Sequence, residues 1–327
     1  MTMTKCSNYY GGLDLLKFVL ALFIVAAHTN LFVEYPILHQ LINPLLQLAV
    51  PSFFAISSYL FYEKASKTDI KELDALELNH LKRLLLFFVI WYILLLPKTY
   101  FAYFSIATWK EIVYAMVFNS TLSGGWFIKA LIINNIILFF MIKKNWVTVG
   151  SSFFIVLYIV LALGYTSVLN NFSRLFSPYF SFYYHTGFYC VGALIFKYKQ
   201  SLCFSSKYLL LFFIFLFILD YVSNVGDVLY RLLIPVVTIL YFLQFRTKTD
   251  YRLLRKTSII IYILHFAVIW CYNEGCKLWL ESDSTPYIVL QYSITRFAII
   301  LSLCIVIALL ILKFEKKPHL AFLKYLH

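Results

Sequence analysis

The chain has 327 residues, of which 62% are hydrophobic and 13% are charged. A water-soluble domain keeps about a quarter of its residues charged, so this composition excludes a soluble globular protein and indicates a helical membrane protein. The formal net charge is +13, but the basic residues lie mainly in alternate loops. That pattern is typical of membrane orientation and does not indicate nucleic-acid binding. The six cysteines lack metal-ligand spacing, so no metal site is expected.

Apolar runs along the chain predict about ten membrane-spanning helices in an all-α polytopic fold. We expect residues 1–327 to form a single transmembrane domain. The segment from Lys64 to Asn79 carries mixed charges and no apolar run. It is predicted to be a short amphipathic or irregular cytoplasmic piece. The predicted spans are 13–33, 41–62, 82–103, 125–142, 146–165, 177–197, 207–223, 228–245, 257–274 and 287–313.

The connections between these spans fall into two classes that alternate strictly along the chain. Connections of one class are rich in lysine and arginine, such as Lys143-Lys144 and the group from Arg252 to Lys256. Connections of the other class are poor in basic residues and hold Glu34, Asp227 and Glu274. Because basic loops stay in the cytoplasm, both termini are predicted to be cytoplasmic. Lys17 then lies towards the inner side of the first span and His28 towards the outer side.

The first span carries three ionisable residues, Asp14, Lys17 and His28. Such groups are costly inside a membrane and mark candidate functional sites. Lys17 and His28 are eleven residues apart, about three helical turns or roughly 16 Å, so they share one face. Asp14 is placed to pair with Lys17. His28 is a candidate general base or a histidine at the water interface, and Lys17 attracts an anionic cofactor or extends to the headgroups.

A second polar face lies in the ninth predicted span. Ser258, Tyr262 and His265 follow i, i+4, i+7 spacing and therefore share one side of the helix. A hydroxyl, a phenol and an imidazole on one stripe indicate either a polar cavity or a structural hydrogen-bond network between helices.

Isolated ionisable residues elsewhere are weaker candidates. Lys129 near the outer end of the fourth span either extends to the interface or charges an outer cavity. Arg174 is in an outer loop, Arg296 is inside the last span, and His185 has no supporting spacing. The sequence contains no Gly-x-Ser-x-Gly elbow, which argues against a conventional hydrolase.

The segment LDLLKFVLALFIVAAH (13–28) resembles the first-helix signature of the acyltransferase-3 family, an arginine and a histidine separated by ten residues. Here Lys17 and His28 have that separation. Further resemblances follow in the family's order and extend over nearly the whole chain. They are AVPSFFAISSYLF (49–61), LKRLLLFFVIWYILLLP (81–97), GGWFIKALI (124–132), FYCVGALIF (188–196) and LRKTSIIIYILH (254–265).

Two motifs depart from the family pattern. Lys17 replaces the arginine of the first motif, which keeps the charge and loses the planar fork. In the second motif Gln47 stands where the family has arginine, and Ser57-Ser58 stands where it has Ser-Gly. Lys129 or Arg174 is the expected substitute for the missing cation.

The resemblance implies an integral O-acetyltransferase of a bacterial plasma membrane. It would transfer acetyl from acetyl-CoA, without a metal, to a hydroxyl of a surface polysaccharide or of its lipid-linked precursor. The catalytic residues would be His28, Asp14 and His265. Lys17, Ser57, Lys82 and Arg83 would bind the donor. The cavity would be lined by Tyr262, Ser258, Lys129, Arg174, Gln47 and Trp126.

Two other functions stay open at this stage. The same polar stripe suits a transporter of a small polar metabolite or glycan, although the halves of the chain show no sequence repeat. The presence of Gln47 also allows an inactive scaffold in a polysaccharide-assembly complex.

Overall fold

A computed structural model of the chain describes residues 10–100, 108–111, 125–163, 182–202, 204–222, 224–245, 249–279 and 284–317. All regular elements within these ranges are helical. They are α1 (Gly11–His28), α2 (Pro36–Gln47), α3 (Ala49–Ala65), α4 (Ile70–Leu94), α5 (Leu96–Thr99), α6 (Gly125–Lys143), α7 (Val147–Ala162), α8 (Phe182–Tyr198), α9 (Ser206–Val222), α10 (Asn224–Leu243), α11 (Arg252–Trp279), α12 (Thr285–Gln291) and α13 (Ser293–Phe314).

Several of these helices are long and apolar enough to cross a membrane, which confirms a multi-pass helical membrane protein. By length and composition the 5 candidates in the described ranges are Gly11–His28, Pro36–Ala65, Gly125–Lys143, Arg252–Trp279 and Ser293–Phe314. Helix α7 is apolar but shorter. The full set of ten spans and the cytoplasmic position of both termini stay predictions.

The structure corrects the predicted elements in two regions. The segment from Lys64 to Asn79 is helical from Ile70 onwards and continues without a break to Leu94. Its lysine, glutamate and leucine residues are strong helix formers, and their propensity outweighs the lack of a long apolar run. The predicted span 287–313 is divided into α12 and α13 at Tyr292, whose ψ of 132° interrupts the helix.

Helix α1 lies at the centre of one half of the bundle. It packs against α2, α3, α10, α11 and α13, while α8 packs against α3, α6, α7 and α10. Apolar side chains such as Leu20, Phe54 and Ile260 are fully buried between them. Asp14 on α1 is buried among these helices, whereas Lys17 is half-buried and His28 is exposed.

The closest approach between α3 and α8 occurs at Gly192. A Cβ atom at this position would overlap the Ala55 carbonyl and the Ser58 hydroxyl. Ser58 in turn donates a hydrogen bond to the Tyr189 carbonyl of α8. The glycine therefore allows the two backbones to meet at a hydrogen-bonded contact.

Replacing Gly192 by alanine is expected to lower the melting temperature of the detergent-solubilised protein. Alanine favours a helix over glycine by about 0.5–1 kcal/mol, but forcing α3 and α8 apart costs about 1–3 kcal/mol. Gly275→Ala is the matched control, because a Cβ at Gly275 meets nothing within 4 Å. A melting temperature for Gly192→Ala as high as that of Gly275→Ala would contradict this account of the contact.

Candidate active site

The polar stripe of α1 connects two separate cavities. Lys17 lines a cavity of about 570 Å³, named the inner cavity here after the predicted orientation, as the cavity at the other end is named the outer one. His28 lines an outer cavity of about 250 Å³. The eleven residues between them correspond to about 16 Å along the helix. The stripe predicted from spacing therefore has a cavity at each of its two ends.

The inner cavity is lined by cationic side chains from four helices. Lys17, Ser57 and Arg83 were predicted to bind a donor, and all three lie on its wall. No acidic residue is among its lining residues. Lys82 is exposed on α4 and is not part of this wall. The other basic residues of the wall, which the sequence did not single out, are Lys64, Arg255 and Lys256.

Acidic groups behind the inner cavity hold two of these cations in place. Asp14 is buried and its carboxylate lies 3.7 Å from the Arg255 guanidinium. The spacing predicted a pair between Asp14 and Lys17. The Asp14 carboxylate does attract Lys17 electrostatically, and it also forms an ion pair with Arg255, which the spacing did not predict. The reason is tertiary, since α11 packs along α1 and brings Arg255 to the same end. Glu315 similarly holds Lys256, with 2.9 Å between Oε1 and Nζ.

His80 is a neutral member of the inner wall. It lies in the part of α4 that precedes the predicted span. Burial, together with the charges of Arg83 and Lys64, lowers the pKa of His80 to about 4. The positive charge of the cavity near neutral pH is therefore carried by lysine and arginine. Such a surface suits an anion with several phosphates.

The outer cavity combines aromatic walls with planar polar side chains. Four residues predicted to line a cavity or to act as a base meet there, namely His28, Gln47, Trp126 and Tyr262. The Oε1 atom of Gln47 is buried and has no hydrogen-bond partner in the described part of the chain. An unpaired carbonyl oxygen favours a ligand that donates a hydrogen bond. Lining residues not proposed from spacing include Asn43, His185 and Arg231.

Two histidines meet at the outer cavity. The ring centroids of His28 and His265 lie 5.1 Å apart. Both rings also contact Phe266, at 4.4 Å and 4.1 Å. His265 is fully buried and its Nδ1 lies 3.2 Å from the Ile261 carbonyl. His28 is the accessible member of the pair, so it is the one that can meet a ligand in the cavity.

Ser258 and Lys129 lie away from the two cavities. Ser258 is buried and donates a hydrogen bond to the Arg255 carbonyl at 2.7 Å. Its role is therefore structural, at the base of the α11 stripe. Lys129 lies over the Phe88 ring at 5.9 Å and lines neither cavity. Arg174 lies outside the described residues. A cation that lines the same cavity as Gln47 is Arg231, which pairs with Asp227 at 2.8 Å.

These positions can be compared with known proteins. An acyltransferase domain, the acyltransferase-3 domain, matches residues 10–313 of the chain. The chain belongs to the acyltransferase-3 family. A protein of Enterococcus faecalis named amino-acid racemase is 26% identical over 351 aligned residues, which cover 98% of this chain and 48% of that protein. This acyltransferase-3 chain thus spans about half the length of that curated relative. No solved structure matches it.

Membership of the acyltransferase-3 family gives the two cavities a chemical context. Acyl transfer needs a space for an activated acyl donor, a space for the nucleophile and a group that removes a proton. This family member has a cationic cavity and a polar aromatic cavity, and a histidine lies on the wall of the second. Arg231 lies within the predicted span 228–245, and an ionisable residue inside a span marks a candidate functional site. The argument from helical spacing did not single it out.

A loop after His28 holds the outer end of α1 in this acyltransferase-3 chain. Asn30 and Phe32 have positive φ values of 53° and 63°, which non-glycine residues rarely adopt. The Phe32 amide donates to the Ser293 hydroxyl at 2.9 Å. The Glu34 carboxylate accepts from the Ser293 amide at 2.6 Å and also from its hydroxyl. Glu34 thus caps α13 and fixes the strained loop that follows His28.

Replacing Glu34 by glutamine is expected to destabilise the protein at neutral pH by about 1 kcal/mol, the usual cost of losing a helix cap. Partial burial raises the pKa of Glu34, but the hydrogen bonds from Ser293 outweigh it and hold that pKa below its ordinary value. The stability that Glu34 contributes is therefore present above the ordinary glutamate pKa and is lost as the pH falls through the lowered pKa of Glu34.

Melting temperatures of wild type and Glu34→Gln, measured across this range, should converge at acid pH. Glu274→Gln is the control, because Glu274 forms an exposed pair with Lys277 that contributes little. An equal effect of the two substitutions would contradict the capping role.

Proposed function

We propose that this protein is a membrane O-acetyltransferase that uses acetyl-CoA and acetylates a hydroxyl of a surface polysaccharide or of its lipid-linked precursor in a bacterial plasma membrane. The observation that carries the proposal is the position of two different cavities at the two ends of α1. The inner one presents cations from Lys17, Lys64 and Arg255. The outer one presents His28 beside aromatic and amide side chains. One space fits a polyphosphate donor and the other fits a hydroxylated acceptor.

The donor would place its phosphates against the inner cations, with its pantetheine arm directed along α1. The arm is long enough to cover much of the roughly 16 Å that separates Lys17 from His28. Asp14 would act indirectly, because it positions Arg255 at 3.7 Å. This arrangement supports the assignment of Lys17, Ser57 and Arg83 to the donor and leaves Lys82 at the cytoplasmic surface.

The acceptor would enter from the outer cavity. Its hydroxyl oxygen attacks the thioester carbonyl carbon while His28 removes the hydroxyl proton. The new C–O bond forms as the C–S bond breaks, and the proton is passed on to the departing thiolate, which leaves as CoA. His265, whose ring centroid is 5.1 Å from that of His28, would position the base. Trp126 and Tyr262 would pack against the acceptor.

The test is acetyl transfer by the purified protein in sealed proteoliposomes. Acetyl-CoA labelled in the acetyl group is supplied on one side, and glycans or lipid-linked glycans are supplied on the other. We expect label in the acceptor and an equal amount of free CoA, only when donor and acceptor face opposite cavities. Absence of CoA binding and of label transfer with every acceptor would overturn the proposal.

Transport of a small polar solute is the second candidate, favoured by the same two cavities along one helix. The enterococcal relative is named an amino-acid racemase, so amino acids are included with sugars among the solutes. Uptake of labelled solute by proteoliposomes that contain no acetyl-CoA would support transport. Uptake that is unchanged by His28→Ala would separate this function from acyl transfer.

A further inference from the structure

A buried polar chain connects α4 to the wall of the inner cavity. Glu77 on α4 is 5% exposed. Its Oε2 atom accepts a hydrogen bond from Asn135 Nδ2 of α6 at 2.6 Å. Asn135 Oδ1 in turn accepts from the Tyr189 hydroxyl of α8 at 2.9 Å. Tyr189 lines the inner cavity, so this three-residue chain links a buried carboxyl group to the space assigned to the donor.

The direction of these hydrogen bonds is set by the carboxylate. An ionised carboxylate can only accept, so Asn135 must present its NH₂ group to Glu77. The amide oxygen then faces Tyr189, and the phenol must donate its only proton to it. The Tyr189 oxygen then has only lone pairs available, so it can accept a further hydrogen bond but cannot donate one. In a hydrogen bond between this phenol and a ligand, the ligand is therefore the donor and the phenol oxygen is the acceptor.

Protonation of Glu77 would reverse the direction of these two hydrogen bonds. The Oε1 atom of Glu77 is buried and has no hydrogen-bond partner among the described residues. A proton on Oε1 would therefore lack an acceptor there, whereas a proton on Oε2 can be donated to a rotated Asn135 amide. The amide nitrogen would then donate to the phenol oxygen. The Tyr189 proton would be released to donate elsewhere.

The surroundings of Glu77 place this change near neutral pH. Glu77 lies before the predicted span 82–103, and burial raises its pKa to about 7, partly opposed by the hydrogen bond from Asn135. Nearby charges are compensated: Asp74 on α4 pairs with Lys143 of α6 at 2.8 Å. The buried His80, also on α4, has its pKa lowered to about 4 and is neutral. From α8 the facing titratable group is Tyr189 itself.

We propose that Glu77, acting through Asn135, makes Tyr189 a hydrogen-bond acceptor in the inner cavity, where it recognises an N–H group of the acyl donor. The inference rests on the proposed function, because it takes the inner cavity as the donor site. The amide N–H groups of a pantetheine arm are the matching chemistry. Glu77 and Asn135 are positioning residues, and Tyr189 is the residue that contacts the donor.

The test is equilibrium binding of CoA to the detergent-solubilised full chain at pH 8 and pH 6. A hydrogen bond contributes about 0.5–1.5 kcal/mol net, so wild-type affinity should fall by about threefold to tenfold at the lower pH. Tyr189→Phe and Glu77→Gln should bind weakly at both pH values, with a pH ratio close to one. Asp74→Asn, on the same helix but exposed, should keep the wild-type ratio.

Each result has a separate meaning. The same pH ratio in Tyr189→Phe as in wild type would overturn this inference and leave the proposed function intact. Absence of CoA binding to wild type at both pH values would overturn the proposed function and this inference with it.

Titration of Glu77 can be measured independently of any ligand. Because its pKa is raised in the folded state, wild-type stability should fall as the pH rises from the ordinary glutamate value towards about 7. Thermal melts of Glu77→Gln should lack this loss, and melts of Asp74→Asn should keep it. A Glu77→Gln curve parallel to wild type would show that Glu77 does not titrate and would overturn the inference.

Discussion

Replacement of His28 by alanine is expected to reduce acetyl transfer by about 10²–10⁴-fold, the usual contribution of a positioned general base. His28 is the accessible member of the histidine pair and lines the outer cavity. His265 is buried behind it. Without the imidazole, the acceptor hydroxyl has no group at this position to take its proton. The measurement is label transfer from acetyl-CoA in proteoliposomes at saturating donor and acceptor.

The controls separate chemistry from folding and from donor binding. His39→Ala removes an outer-side histidine that contacts the Leu31 carbonyl at 2.9 Å and lines neither cavity. That variant should keep most of the activity. CoA binding to His28→Ala should equal that of wild type, because the inner cavity is untouched. Undiminished label transfer by a folded His28→Ala protein would exclude His28 as the base.

The two ends of α1 could be predicted from the sequence because they depend on helical spacing alone. Eleven residues place Lys17 and His28 on one face, and the structure finds a cavity at each. The i, i+4, i+7 stripe likewise predicted that Tyr262 and His265 share a side of α11. The family resemblance then indicated the class of reaction, which the match over residues 10–313 supports.

Partners that arrive from other helices could not be predicted in this way. Asp14 was assigned to Lys17 three residues away, which it does attract, but its ion pair with Arg255, 241 positions along the chain, was not predicted. The substitute for the cation missing at Gln47 was sought at Lys129 or Arg174. Arg231 lines the same cavity as Gln47, because the Tyr230 hydroxyl of α10 donates a hydrogen bond to the Pro44 carbonyl of α2. Spacing within one helix carries no information about which neighbouring helix completes a site.

The break at Tyr292 and the length of α4 were missed for a related reason. A hydropathy pattern follows apolar content, so it joined α12 to α13 across a residue whose backbone is extended. It also began the third span at residue 82, although helix formers continue back to Ile70. The extra turns of α4 carry His80 to the wall of the inner cavity and Glu77 to the hydrogen-bonded chain that ends at Tyr189.

Replacement of Lys17 by alanine is expected to weaken CoA binding by about tenfold to a hundredfold. Hydrogen bonds to charged groups contribute about 1.5–3 kcal/mol, and a lysine acts on phosphate as a point charge. The fold should tolerate the change, because Asp14 keeps its ion pair with Arg255. Lys17→Arg should retain binding. Lys207→Ala is the control, since Lys207 is exposed on α9 and lines neither cavity.

Steady-state kinetics of Lys17→Ala distinguish the donor role from a role in the chemical step. A cation that only holds the phosphates binds the ground state and the transition state equally, so KM for acetyl-CoA should rise while kcat is unchanged. A fall in kcat at unchanged KM would instead place Lys17 beside the reacting thioester. Because α1 separates Lys17 from His28 by about three turns, that result would also require the acetyl group to react near the inner cavity, and the assignment of His28 as the base would fail with it.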